Sequence, residues 1–369
     1  MTKIFYLYPR SGHTTPLRSD TLWGGICWGI RFLYGEKKLS DILDAYTKGH
    51  GPFFITSTFP FRSYKGEKNC FFPTPLIAKI DPNEAGQNNS QVYRHRKKMK
   101  KLNYVNLSQF NKIINGALDF NDLLSEVIDS SSAETGPSLQ YQIANIPPVR
   151  KSYTITKNAI DRISQGTLQR KSLDGRDSGQ LFHVSETHLI DPVQFSSKKK
   201  QANDRAQAEA FGAETDIGLF FLAKGETEYI EAALRFFRHH GMGGDRSTGK
   251  GFFDFKVEAF PGFDEPSDPD STVNLSIYQP TPQEVHSFKN VRYSLQEVEL
   301  RQGRLGTIRA NRIKPPRATF KEGSVFPWHD GNNTIWGTNQ RWRLEGVSFE
   351  GQDYGMGWMV KMKTPAIWK

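Results

Sequence analysis

The apolar run from Lys3 to Tyr8 (K-I-F-Y-L-Y) predicts a first strand, and Pro9 closes it. A polar loop, Arg10 to Arg18, follows. Ser19-Asp20 then predicts the cap of a helix that begins near Thr21, because their oxygens accept the unpaired N–H groups of a first turn. Leu22, Ile26, Ile30 and Leu33 recur at helical spacing, and Trp23, Trp28 and Phe32 make the helix apolar almost all round, so it is packed rather than solvated. Gly24, Gly25 and Gly29 weaken an exposed helix and therefore point to close backbone packing. Gly35 is expected to stop the helix, and Leu39 to Tyr46 to form a short second one. Phe53 to Phe61 and Cys70 to Ile80 are strand-like. Pro60, Pro73 and Pro75 interrupt them and predict irregular edge strands.

The middle of the chain is more polar. Asn106 to Val127 holds helical material. Leu139 to Thr156 is extended, Gln165 to Gly179 is rich in glycine, serine and charge, and Leu181 to Leu189 alternates again, which together read as a long hairpin with a polar tip. Asp216 to Lys224 is a strand, Glu226 to His239 an amphipathic helix and Phe252 to Ala259 a strand. Thr272 to Tyr278, Arg292 to Leu300, Gly323 to Phe326, Trp342 to Leu344 and Trp358 to Met362 complete the strands. One β-α unit near each end, with strands after each, predicts an α+β protein of two ferredoxin-like (RRM-like) domains, 1–195 and 196–369, with a glycine-rich loop and an inserted hairpin. Such a sheet leaves one face for nucleic acid.

Composition narrows the function. The chain has 369 residues and a formal charge of +10, which favours an anionic partner. No apolar run is long enough for a membrane span, and the first residues lack a signal-peptide core, so a cytoplasmic protein without a membrane partner is expected. Cys27 and Cys70 are far apart and make no metal pattern, no H-x-x-H or C-x-x-C occurs, and no cofactor is implied. Two stretches carry charge of one sign. Tyr93 to Tyr104 has six Lys or Arg and Arg301 to Lys321 has seven, neither with an acid. Each reads as a solvated basic face or as a non-specific contact to a nucleic-acid backbone.

The most pointed feature is His239 to Gly251, H-H-G-M-G-G-D-R-S-T-G-K-G. Gly244 to Lys250 fits G-x-x-x-x-G-K, most of a nucleotide-binding P-loop, but a P-loop takes Ser or Thr next and lies between a strand and a following helix. Here Gly251 follows and the order is helix, loop, strand. A plain helix-to-strand turn needs neither five glycines nor so many polar side chains. Glycines that bare their N–H groups, beside Arg246, Ser247, Thr248 and Lys250, suit a cradle for an RNA backbone. Asp245 is expected to hold Arg246 or to cap the loop's own N–H groups.

Four motifs in order carry a resemblance: S-D-T-L-W-G-G-I-C-W-G-I (Ser19 to Ile30), N-A-I-D-R (Asn158 to Arg162) with Q-L-F-H-V-S-E-T (Gln180 to Thr187), H-G-M-G-G-D-R-S-T-G-K-G-F-F, and E-G-S-V-F (Glu322 to Phe326). They resemble the RAMP superfamily of type III CRISPR effector subunits, most of all the Csm-complex subunit that holds the 5′ repeat-derived tag of the guide RNA. The resemblance implies a non-catalytic, crRNA-binding structural subunit for antiviral defence. Its partners would be the guide RNA, the large polymerase-like subunit and the adjacent backbone RAMP subunit. The RNA-binding residues expected are Arg18, Ser19, Arg162, His240, Gly241, Gly243, Gly244, Arg246, Ser247, Thr248, Gly249 and Lys250. Arg18 is the better contact at the helix start, since Asp20 would compete with a phosphate there. Arg162 serves either RNA or packing between domains. The alternative is a RAMP-type endoribonuclease that processes guide precursors, with His13, His239 or His240 as general acid or base.

Overall fold

The computed structural model describes residues 1–64, 66–76, 102–118, 122–123, 149–158, 181–190, 215–288, 298–301, 314–328, 335–343 and 350–364. It is a mixed α+β protein whose sheets are antiparallel. Strand β1 (Lys3–Pro9) leads into helix α1 (Ser19–Thr47). Gly35, at φ 87° and ψ 170°, breaks α1 where the sequence expects a stop, so the second helical stretch continues from the first across a kink. The helix starts at Ser19 rather than near Thr21.

Strands β2 (Phe53–Ile55), β3 (Phe59–Tyr64), β4 (Glu67–Pro73) and β5 (Tyr104–Asn106) precede a short helix α2 (Leu107–Ile114). The Asn106 side chain accepts the Gln109 N–H at 2.9 Å, and Gln109 reaches back to the Asn106 N–H, a reciprocal cap on α2. The expected hairpin is present as β6 (Val149–Asn158) paired along its whole length with β7 (Leu181–Ile190). Its tip lies outside the described residues, as does most of the basic stretch from Tyr93.

Strand β8 (Thr215–Gly225), helix α3 (Thr227–His240) and strand β9 (Phe253–Ala259) form the expected β-α-β unit. They do not open a second sheet. Strand β8 pairs with β1 on one side and β9 pairs with β1 on the other, giving the order β5-β4-β3-β8-β1-β9, with β2 also on β8. Residue 195 therefore does not separate one sheet from another. Nor is β3 an edge: it lies between β4 and β8 despite Pro60. The missing N–H at Pro60 is one donor, whereas Phe59 and Phe61 beside it are both buried. In the same sheet Phe5 faces Phe221 in register and stacks on it at 4.8 Å.

The remaining strands are β10 (Ser271–Asn274), β11 (Val298–Arg301), β12 (Arg317–Phe320), β13 (Val325–Pro327), β14 (Ile335–Gly337), β15 (Gln340–Arg343), β16 (Glu350–Asp353) and β17 (Met356–Met362), with helix α4 (Pro282–Ser287) after β10. They make a second sheet, β13-β10-β17-β14, and two ribbons, β11-β12 and β15-β16. One core runs through both main sheets, from Phe5 and Phe221 to Val273, Val325 and Val360. Helices α1 and α3 pack closely: a Cβ on Gly29 would stand 2.6 Å from the Cβ of Ala233. That is the backbone approach the helical glycines predict, although Gly24 faces open space.

Candidate nucleic-acid interface

The glycine segment begins where α3 ends. Gly241 takes φ 71° and donates its N–H to the Phe237 carbonyl at 2.8 Å, ending the helix. Met242 turns inward, is buried, and donates its N–H to the Gly251 carbonyl at 2.9 Å, which closes the segment into a loop. Gly251 seals this clasp. At φ 74°, any Cβ there would lie 2.0 Å from the Met242 carbonyl oxygen. Met242 also fills the space beside Gly25 of α1, 3.2 Å from where a Cβ would sit, so two glycine-bearing motifs far apart in sequence meet.

Between these clasps the chain makes a tight turn. Asp245 sits in the left-handed region at φ 55°, and Arg246–Thr248 form one 3-10 turn. The Asp245 carbonyl accepts the Thr248 N–H at 3.0 Å, the Thr248 hydroxyl at 2.8 Å and the Lys250 N–H at 3.4 Å. Gly249 donates its N–H to Arg246 at 3.0 Å. The N–H groups of Gly243, Arg246 and Ser247 donate to no described residue. Successive N–H groups around a left-handed residue converge on one side, the arrangement that receives anions. A cleft of about 580 Å³ lies against this loop, lined by His239, His240, Gly243, Asp245, Arg246, Ser247 and Phe252. Arg246 and Ser247 are exposed into it. Arg246 has no carboxylate partner among the described residues, and its guanidinium lies 6.0 Å from the Phe237 ring.

The β1–α1 loop holds the glycine loop from behind. Gly251 donates its N–H to the Gly12 carbonyl at 3.0 Å, Phe252 donates to the Ser11 hydroxyl at 3.0 Å, and Gly244 donates to the Thr15 hydroxyl at 3.3 Å. The same loop reaches the hairpin: His13 and Thr187 exchange backbone hydrogen bonds at 3.0 and 2.8 Å. Loop, glycine segment and hairpin thus converge. Arg10 and Arg238 flank Asp254 at 3.4 and 2.6 Å, and Arg10 donates to the Arg238 carbonyl at 3.1 Å. These residues were not singled out from the sequence. Their signal is faint, an arginine at each strand or helix end next to the loop.

The other candidates are elsewhere engaged. Arg18 makes a two-pronged pair with Glu322, Nε to Oε1 at 3.1 Å and Nη2 to Oε2 at 2.6 Å, and Ser57 also donates to Glu322. Ser19 is fully buried. Its hydroxyl accepts the Ile277 N–H at 2.8 Å, and its own N–H donates to the Ser57 hydroxyl at 2.9 Å. The Ser19 hydroxyl therefore ties α1 to the second half of the chain rather than capping the helix. Asp20 accepts the Thr21 N–H and pairs with Arg317 at 2.7 Å. Arg317 and Lys314, from the second basic stretch, both pair with Asp353 as well, at 3.7 and 2.6 Å. These cations are committed within the fold, because the acids that neutralise them come from distant segments. His13 is buried. Arg162 lies outside the described residues. No group of three or more His, Cys, Asp or Glu positioned to hold a metal occurs among the described residues, and no described helix is long and apolar enough to cross a membrane.

No family model matches the sequence. The CRISPR system protein Csm4 of Thermococcus onnurineus (strain NA1) is 23% identical over 366 residues, covering 97% of this chain and 96% of that protein. A chain in the crystal structure of a Csm3–Csm4 subcomplex of a type III-A CRISPR-Cas interference complex shares the fold with a TM-score of 0.59 at 14% identity, covering 98% of this chain and 99% of that one. A chain in a Csm1–Csm4 cassette crystallised with cA4 gives 0.54 at 18% identity, covering 99% of both. The chain is thus similar to Csm4 along its whole sequence and shares the fold of the chains in these two assemblies.

Proposed function

We propose that the chain is a non-catalytic subunit of a type III-A CRISPR effector in the cytoplasm. It holds the 5′ repeat-derived tag of the guide RNA in the cleft beside the glycine loop and anchors the large signalling subunit, with the backbone RAMP subunit as neighbour. The observation that carries this is that Gly243, Arg246 and Ser247, whose N–H groups donate to no described residue, line the cleft, with the Arg246 and Ser247 side chains exposed. Backbone N–H groups and a guanidinium donate to phosphate oxygens without reading sequence, and a serine hydroxyl suits a phosphate or a 2′-OH. The assemblies in which the relatives were solved, Csm1–Csm4 and Csm3–Csm4, support the two protein partners.

The topology supports one ferredoxin-like unit made of β1, α1, β3, β8, α3 and β9 in sheet order β3-β8-β1-β9, and a second unit around β13-β10-β17-β14. Strand β8, helix α3, the glycine loop and β9 belong to the first unit in this reading. The test is the nucleic acid that co-purifies with the full chain. Wild type retains RNA with one shared 5′ end. Arg246→Ala combined with Gly243→Asp loses it, since this removes the guanidinium and sets a carboxylate in the cradle. Retention of the same defined 5′ end by the double variant would sink the reading. Incubation with repeat RNA separates the endonuclease alternative, which requires a discrete cleavage product from wild type.

A further inference from the structure

His240 ends a row of four stacked rings. Trp28 and Phe32 of α1 lie with centroids 5.8 Å apart and planes 29° apart. Phe32 stacks on Phe236 of α3 at 5.4 Å and 28°, and Phe236 stacks on His240 at 4.3 Å and 27°. The two inner rings each stack on two others, Phe32 on Trp28 and Phe236, and Phe236 on Phe32 and His240. The ends differ. At the far end the Arg31 guanidinium lies 5.2 Å from the centre of the Trp28 ring. At the near end one face of His240 rests on Phe236. No other ring, hydrogen bond or ion pair engages its imidazole among the described residues. His240 is exposed and lines the cleft together with Arg246 and Ser247.

We propose that the open face of His240 is a platform on which one unpaired nucleobase of the bound RNA stacks, while Phe236 behind it fixes the ring. The inference rests on the RNA-binding reading above and adds the subsite that receives a base. Its chemistry follows from what surrounds it. Stacking needs only a π face, which every base has, so the platform itself does not select one base. Arg246, exposed on the same cleft and without a carboxylate partner among the described residues, favours a ligand with an anionic backbone over an apolar peptide. The ladder keeps the imidazole from rotating away, so ordering the ring is already done before RNA arrives.

The experiment uses the full chain and a short single-stranded RNA carrying 2-aminopurine at each position in turn, read by fluorescence and by anisotropy. Stacking quenches 2-aminopurine. Wild type should bind and quench strongly at one position, and His240→Phe should keep that quench. His240→Ala should lose the quench at that position and bind about tenfold more weakly, while Arg246→Ala weakens binding yet leaves the quench in the fraction bound. Quenching by His240→Ala equal to wild type overturns the proposal. Binding by wild type with no quench at any position also overturns it and leaves the RNA-binding function standing. Absence of binding by wild type overturns both.

Discussion

Arg18 and Glu322, 304 residues apart, form a two-pronged ion pair whose side chains are only 16% and 12% exposed. An arginine that sequence alone offers to RNA is therefore a clasp between the start of α1 and the segment before β13. Truncating one member of a pair shielded this far strands the other charge, at about 3 kcal/mol, the low end for a buried pair. Arg18→Ala and Glu322→Ala should each lower the unfolding midpoint in denaturant, and the double variant should lose less than their sum. Additive losses would show that the two side chains act independently.

The salt dependence of RNA binding should tell the two arginines apart. Each phosphate neutralised on a single strand contributes a slope of about 0.7 in log affinity against log salt. Arg246→Ala should reduce the slope by roughly that amount, and Arg18→Ala should leave it unchanged. A reduced slope for Arg18→Ala under conditions where the variant is fully folded would put that guanidinium on RNA after all.

Much of the local architecture is legible in the sequence. Strand β1, the break at Gly35, the β6–β7 hairpin and the β8–α3–loop–β9 unit all follow from apolar period and glycine placement, which are properties of neighbouring residues. The sheet order is not, since β1 pairs with strands more than 200 residues on, and no local pattern encodes which strand lies beside which. The candidate site divides in the same way. Gly241 to Lys250 stay together because they are contiguous. Arg18 and Ser19 leave it because their partners, Glu322 and Ile277, arrive from elsewhere in the chain, and in the second basic stretch Lys314 is held by Asp353 and Arg317 by Asp20. One signal was available: Glu322, the acid directly after the second basic stretch, in a motif already conspicuous in sequence.

Two glycines on one helix should respond in opposite directions. Gly24 faces open space, so Gly24→Ala removes only backbone freedom from the unfolded chain and should stabilise by about 0.5–1 kcal/mol. Gly29→Ala would press a methyl to 2.6 Å from Ala233 Cβ and 3.0 Å from its Cα, where the backbone of α3 must move. A loss of about 1–3 kcal/mol is expected. Thermal unfolding of the two variants beside wild type decides it, and equal shifts would contradict the contact between α1 and α3.

The loop glycines divide in the same manner. At Gly249, φ is 82° but nothing lies within 4 Å, so Gly249→Ala should cost only about 1–2 kcal/mol of left-handed strain and leave a folded loop. Gly251→Ala meets the Met242 carbonyl at 2.0 Å and cannot keep the clasp that positions Gly243 and Arg246. Limited proteolysis should therefore cut near residues 242–251 in Gly251→Ala and spare wild type and Gly249→Ala. A protected loop in Gly251→Ala would show that the clasp tolerates a side chain.

The two buried thiols should set an alkaline limit on stability. Burial pushes Cys70 from 9.0 up to about 11, and burial also raises Cys27. Cys70 shares a hydrogen bond with the Tyr6 hydroxyl at 3.8 Å, and the buried Tyr6 phenol is raised too. As pH climbs past the ordinary thiol value, the unfolded chain releases these protons while the folded chain keeps them. The unfolded state then binds fewer protons and stability falls with pH. Between about pH 9.5 and 10.5 each thiol should remove roughly 1 kcal/mol per pH unit. Lys224, whose ammonium burial holds below its ordinary range, works in the opposite sense, so the informative quantity is the difference in slope between variants. Cys70→Ala lowers stability at every pH through lost packing. Its denaturant midpoint should nevertheless decline less steeply over this window than that of wild type, and Cys27→Ala should do the same. Parallel slopes in all three proteins would mean that the thiols ionise in the folded chain as readily as in the unfolded one.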